Sequence, residues 1–259
     1  TLKLVKYINV GENIKDVHFG SKHLYICGTN HIFAIESEKI TTTADLQKVY
    51  KFEFPVSSAE FHKDDLYVAE SSSITSGNIK KISLVDFSNI EETDVCFLRS
   101  IPDVISYDET TDSIAFGKKE DGKVYVSPIS GESMKMFSFE SMAKNGFIFK
   151  NGKIAYGGNV FSVEKEKTVF STFDSKALHF DGVNLTTEKG IYNTETFEPL
   201  GFHGIELSSV SFENGIYCAA FGDVSMYVSK SLPSAICNEA ASSAGVGVGF
   251  TDHVYLSKN

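Results

Sequence analysis

An all-β fold, made by repeating one small sheet, is what this sequence predicts. Three observations predict it: a recurring apolar-x-aromatic landmark, a tight polar turn after each landmark, and apolar–polar alternation on both sides. Alternation with a period of two belongs to a strand that buries one face. No stretch carries a helical period, since 141–144 and 235–244 are too short or too rich in Gly and Ser.

The elements follow in chain order. The opening is β-rich, with Leu2, Leu4 and Ile8 flanking Val5 and Tyr7. Val17-His18-Phe19 then precedes Leu24-Tyr25-Ile26, and Ala59-Glu60-Phe61 precedes Leu66-Tyr67-Val68. Ile105-Ser106-Tyr107 precedes Ile114-Ala115-Phe116, and Phe147-Ile148-Phe149 precedes Ile154-Ala155-Tyr156. Leu178-His179-Phe180, Val210-Ser211-Phe212 and Val248-Gly249-Phe250 continue the series to the end of the chain. Phe52-Glu53-Phe54 and Phe137-Ser138-Phe139 lack the following turn and are read as outer, fourth strands. Turns such as Lys150-Asn151-Gly152-Lys153 and Asp181-Gly182 suit hairpins, because a type I′ turn needs positive φ at both central residues. The landmarks Phe19, Phe61, Tyr107 and Phe149 are spaced as four-stranded repeats of about 40–45 residues require; later units are shorter. The whole predicts one domain over residues 1–259, a seven-bladed β-propeller. The N-terminal strand would pair into the blade of Phe250 as its outer strand, bringing that blade to three strands, and hide two sheet edges.

At these residues the chain resembles the β-propeller superfamily, most nearly the WD40-like group. Leu66-Tyr67-Val68-Ala69-Glu70 and Val124-Tyr125-Val126-Ser127 are also similar to the strand motif of YVTN-type propellers. There is no Trp, hence no Trp-Asp dipeptide, and the Gly-Gly pair of Kelch blades occurs once, at Gly157-Gly158. The resemblance implies an architecture and a common use of it, display of loops to a protein partner.

Composition narrows the function classes. The net charge is −10 and Arg99 is the sole arginine, which disfavours nucleic acid and anionic membranes. The longest apolar runs are a few residues, too short to span a bilayer. Cys27, Cys96, Cys218 and Cys237 are far apart with no C-x-x-C pair, so free buried thiols in a reducing, intracellular compartment are expected. No nucleophile elbow or phosphate loop is present, and Gly245 to Gly249 read as close backbone packing in a strand, with no helix to bind phosphate. No cofactor is expected.

Two functional readings remain. The first is a non-enzymatic scaffold whose partner-binding rim carries the loops between second and third strands, with His31, Glu70, Lys119, Phe202 and His203. The acidic total points to a protein or peptide with a basic segment. Phe202 is the candidate anchor, its competing reading being an ordinary core aromatic. The alternative is a metal-dependent hydrolase or lactonase, its ion held at the channel mouth by Glu12, Asp103 and Glu206, with Asn13 and Asn145 nearby. His18 and His179 occupy equivalent places in the first and fifth repeats and are read as structural histidines.

Overall fold

The computed structural model describes residues 3–40, 46–71, 76–131, 133–139, 146–203, 206–213, 216–221, 225–229 and 253–258. For 3–7 and for the segments beyond 210 it describes the backbone alone. Phe250, Asn145, Cys237, the Gly245–Gly249 run and the segments 141–144 and 235–244 lie outside the described residues.

All but one element is a strand. The first, β1 (Lys3–Asn9), is followed by β2 (Ile14–Phe19), β3 (His23–Gly28), β4 (His31–Glu36) and β5 (Gln47–Lys51). A second group is β6 (Val56–His62), β7 (Asp65–Ser71), β8 (Gly77–Ser83) and β9 (Glu91–Leu98). The third is β10 (Val104–Asp108), β11 (Ser113–Gly117), β12 (Lys123–Pro128) and β13 (Lys135–Ser138). The fourth is β14 (Ile148–Lys150), β15 (Lys153–Tyr156), β16 (Asn159–Ser162) and β17 (Lys167–Ser171). The fifth is β18 (Ala177–Phe180), β19 (Asn184–Thr187), β20 (Gly190–Asn193) and β21 (Pro199–Phe202). Then come β22 (Ser209–Glu213), β23 (Ile216–Phe221), β24 (Ser225–Ser229) and β25 (His253–Lys258). One short 3-10 turn, Ser37–Lys39, is the exception among the described residues.

Five groups of four form antiparallel meanders, each paired in chain order; β22 to β24 form a sheet of three. The remaining sheet is made by the two ends of the chain, where β1 runs antiparallel to β25 with Tyr7 opposite Tyr255. Six landmarks fall on or beside the first strands of successive sheets, and those first strands neighbour one another from β2 and β6 round to β18 and β22. Phe137 and Ser138 lie in the fourth strand β13, and Phe52 directly follows β5. The close spacing of later landmarks comes from shortened strands, four residues each from β18 to β21, with no strand lost.

The core lies between sheets. Tyr25, Ile32 and Val56 with Leu66 and Val68 join the first sheet to the second. Tyr67, Ile79 and Leu98 with Tyr107, Ile114 and Phe116 join the second to the third, and the rings of Tyr67 and Tyr107 stack at 4.2 Å. Equivalent clusters join the third to the fourth and the fourth to the fifth. Ile8 and Val10, at the end of β1, pack against Leu24, Ile26 and Phe33 of the first sheet. The landmark aromatics Phe61, Tyr107, Phe149 and Phe180 each lie in such a cluster and serve two sheets at once, whereas Phe19, the first of the series, is exposed.

Polar side chains on the first strands add a second tie. Asp16 accepts the Phe61 N–H at 2.7 Å, Glu60 accepts that of Tyr107 at 2.8 Å, and Ser106 accepts that of Phe149 at 3.1 Å. In each case a landmark amide with no partner within its own sheet finds one on the preceding first strand. Backbone N–H groups left unpaired in a buried setting are costly, and these three bonds remove that cost.

Candidate functional site

In an antiparallel meander the second-to-third turn and the exit from the fourth strand emerge at the same edge. The predicted rim is therefore one surface made of two kinds of connection, with His31, Glu70 and Lys119 on the turns and Phe202-His203 on an exit. Carboxylates knit the two kinds together. Glu12 accepts the Asn30 N–H at 2.7 Å and pairs with the His31 ring. Glu70 accepts the Phe54 N–H at 2.7 Å and is bridged by Lys80 at 2.9 Å. Asp103 accepts the Lys119 N–H at 3.3 Å. Glu188 accepts the N–H groups of Ser175 and Lys176, both at 2.8 Å, and the Ser175 hydroxyl.

These contacts set the electrostatics. Partial burial opposes ionisation of Glu12, but the Asn30 N–H and the His31 ring hold its carboxyl below the usual range. Glu188 behaves the same way: burial is outweighed by the Ser175 and Lys176 amides. Desolvation lowers the His203 imidazole, favouring the neutral ring.

No protein-family model matches the chain, and no curated protein matches it in sequence. Solved structures do match. The WD40 β-propeller domain of Doa1 superposes with a TM-score of 0.64 over 100% of this chain and 97% of its own, at 10% identity. The fold is that of the WD40-like β-propellers. A chain of the mitotic checkpoint complex matches with a TM-score of 0.62, over 90% of this chain and 79% of that one, at 9% identity. The computationally designed Ika8 protein matches with a TM-score of 0.59, over 99% and 100%, at 12% identity.

On this fold the sequence-predicted residues divide. Phe202 is 61% exposed at the end of β21, its ring edge-on to Tyr192 at 6.1 Å, so the core reading of Phe202 is the one that fails. Lys119 is exposed on its turn. Glu70 is 3% exposed, with both oxygens engaged; it braces the rim from beneath and offers nothing to a partner. His31 and His203 are half-buried, His31 against Glu12 and His203 with its N–H on the Lys189 carbonyl at 2.7 Å.

The carboxylates of the hydrolase alternative do not meet. Glu12 and Asp103 are spent on backbone amides of different sheets, and Glu206 is exposed elsewhere on the rim. Among the described residues no three His, Cys, Asp or Glu side chains are placed to share an ion. A calcium site needs six to eight converging oxygens, and the geometry here spreads them apart. The propeller alternative with a bound metal is left without support.

The sequence singled out Phe202 but not the equivalent exit residues Phe54, Phe97 and Phe173. Phe54, Phe97, Phe173 and Phe202 are all exposed and all stand at or beside the place where a fourth strand leaves for the next sheet. Their common position in the repeat, just past or inside the fourth strand, was the available signal.

Proposed function

We propose that this protein is a non-enzymatic protein- or peptide-interaction scaffold. Its seven sheets would be the blades of one ring, closed where β1 meets β25, and the rim of turns and exits would be the docking face. The observation that carries the reading is the row of exposed phenylalanines, Phe54, Phe97, Phe173 and Phe202, on that single rim. Exposed aromatics on a rigid frame serve as anchors, since they bury much area while losing little side-chain freedom. The carboxylate ties supply the rigidity, and preorganised loops lose less entropy on binding. A net charge of −10 would speed encounter with a partner bearing a basic segment. Partners would be met in a reducing compartment, where a buried free thiol such as Cys27 persists.

The test compares proteins retained by the immobilised chain and by Phe202→Ala, with melting temperature measured on both. The reading expects a specific partner that is lost from the variant while its melting point holds. An identical retained set on both, or none on either, contradicts it.

A further inference from the structure

Among the exit phenylalanines, Phe97 borders a formed cavity. The cavity, of about 250 Å³, lies between β9 and the third sheet and opens at the rim. Phe97, Phe116, Tyr125 and Met134 give it apolar walls, with the Phe116 and Tyr125 rings stacked at 5.5 Å. Arg99, Lys118 and Asp121 stand around it. Its frame is fixed, because the Asp103 N–H donates to the Gly117 carbonyl at 3.0 Å while Asp103 holds the Lys119 amide. Gly117 must be glycine here: a Cβ would come within 2.3 Å of the Lys123 carbonyl oxygen.

Size and charge select the occupant. The volume is below the roughly 300 Å³ at which pockets for whole small molecules begin, and suits one large side chain with the rest of its segment outside. Phe97 is 68% and Met134 is 55% exposed, so an entering apolar group would cover surface now facing water. Arg99 makes no ion pair or hydrogen bond among the described residues, and neither does the ammonium of Lys118. Asp121 is nearby but bridges neither cation. Two uncommitted cations beside an apolar cavity leave a site that an adjacent carboxylate would complete, in the bidentate geometry that guanidinium favours.

We infer that this cavity takes a linear peptide segment of a partner protein, a large aliphatic or aromatic side chain entering between Phe97 and Met134 and a neighbouring Asp or Glu meeting Arg99. The inference rests on the scaffold reading and names the chemistry of one of its contacts. It does not conflict with a basic segment elsewhere in the partner. The charge of the whole chain acts on encounter, whereas fit is decided within a screening length of about 8 Å.

A random twelve-residue peptide library panned on the purified full chain, and in parallel on Arg99→Glu, tests this. Enrichment of an apolar residue with Asp or Glu beside it is expected on the wild type and should disappear on Arg99→Glu. The best peptide should bind Phe97→Ala and Arg99→Glu about tenfold or more weakly, with unchanged melting points. Replacing its acidic residue by Lys should restore binding to Arg99→Glu. No enrichment, a consensus without the acidic residue, or a consensus that survives Arg99→Glu overturns the inference. Those results leave the Phe202→Ala comparison untouched, so failure of the cavity and failure of the scaffold reading are told apart.

Discussion

At the scale of single residues, what a side chain does depends on partners that lie a whole sheet away. Asp16 shows this best. Burial, together with the neighbouring Glu60 carboxylate, pushes its pKa up to about 7, against the pull of the Phe61 and Val17 amides that it accepts. Its folded value thus exceeds the unfolded value of about 3.9, so the folded state binds the extra proton between them. Stability from this group is present below about pH 4 and is lost as pH rises towards 7. Asp16→Asn should flatten that part of the stability–pH curve between about pH 4 and 8, as read from urea midpoints. An identical slope in variant and wild type would refute the assignment. Phe202→Ala should weaken a rim-bound partner by about 1–3 kcal/mol, because it removes an anchor. A fall in stability of about 3–5 kcal/mol would instead mark it as core, which its exposure argues against. Asp16 was not legible in the sequence, and Glu70, read there as a partner-binding residue, is instead a buried brace. A carboxylate in a strand reads as a solvated face, and only the arrival of a backbone amide from the next sheet makes it structural.

At the scale of elements, local chemistry was readable and contacts between elements were not. Asn151 and Gly152 both have positive φ, as the type I′ turn inferred from Asn-Gly requires. First and second strands were visible because alternation and turn residues are neighbours in sequence. The closely spaced landmarks Phe149, Phe180 and Phe212 said that units were short, without saying which strands gave up length. The rim ties were invisible because Glu188 joins residues of an exit to a turn beyond the intervening strands β18 and β19. That tie makes a prediction of its own. Glu188 is 1% exposed and accepts two amides and a hydroxyl, so Glu188→Ala should cost about 3 kcal/mol by orphaning those donors. Glu188→Gln, which keeps an acceptor, should cost less. Equal midpoints for all three proteins in urea would show that the exit needs no tie.

At the scale of the whole molecule, repetition is what made the architecture legible. Seven landmarks predicted a propeller; solved WD40-like propellers superpose on the chain; and the hydrolase alternative faded because Glu12 and Asp103 are engaged with backbone amides of different sheets and Glu206 does not join them. Thiol chemistry is a property of the whole chain too. Cys27 is buried in the second strand of the first sheet, and burial raises its pKa, as it does for Cys96, pushed up to about 11. Mass spectrometry without reductant should find four unlinked cysteines, and a Cys27–Cys218 bridge would contradict the spacing of the sheets. The proposed scaffold would need a ring closed by its own ends, since an open arc would let the rim flex. Ile8 and Val10 pack from the end of β1 against the first sheet, and burying two such side chains stabilises by about 3–6 kcal/mol. The direct measurement is the thermal melting of a chain lacking residues 1–10. Closure predicts one cooperative transition lowered by roughly 10 °C, because the lost burial is shared by the whole ring. A melting point unchanged from that of the full chain would contradict it.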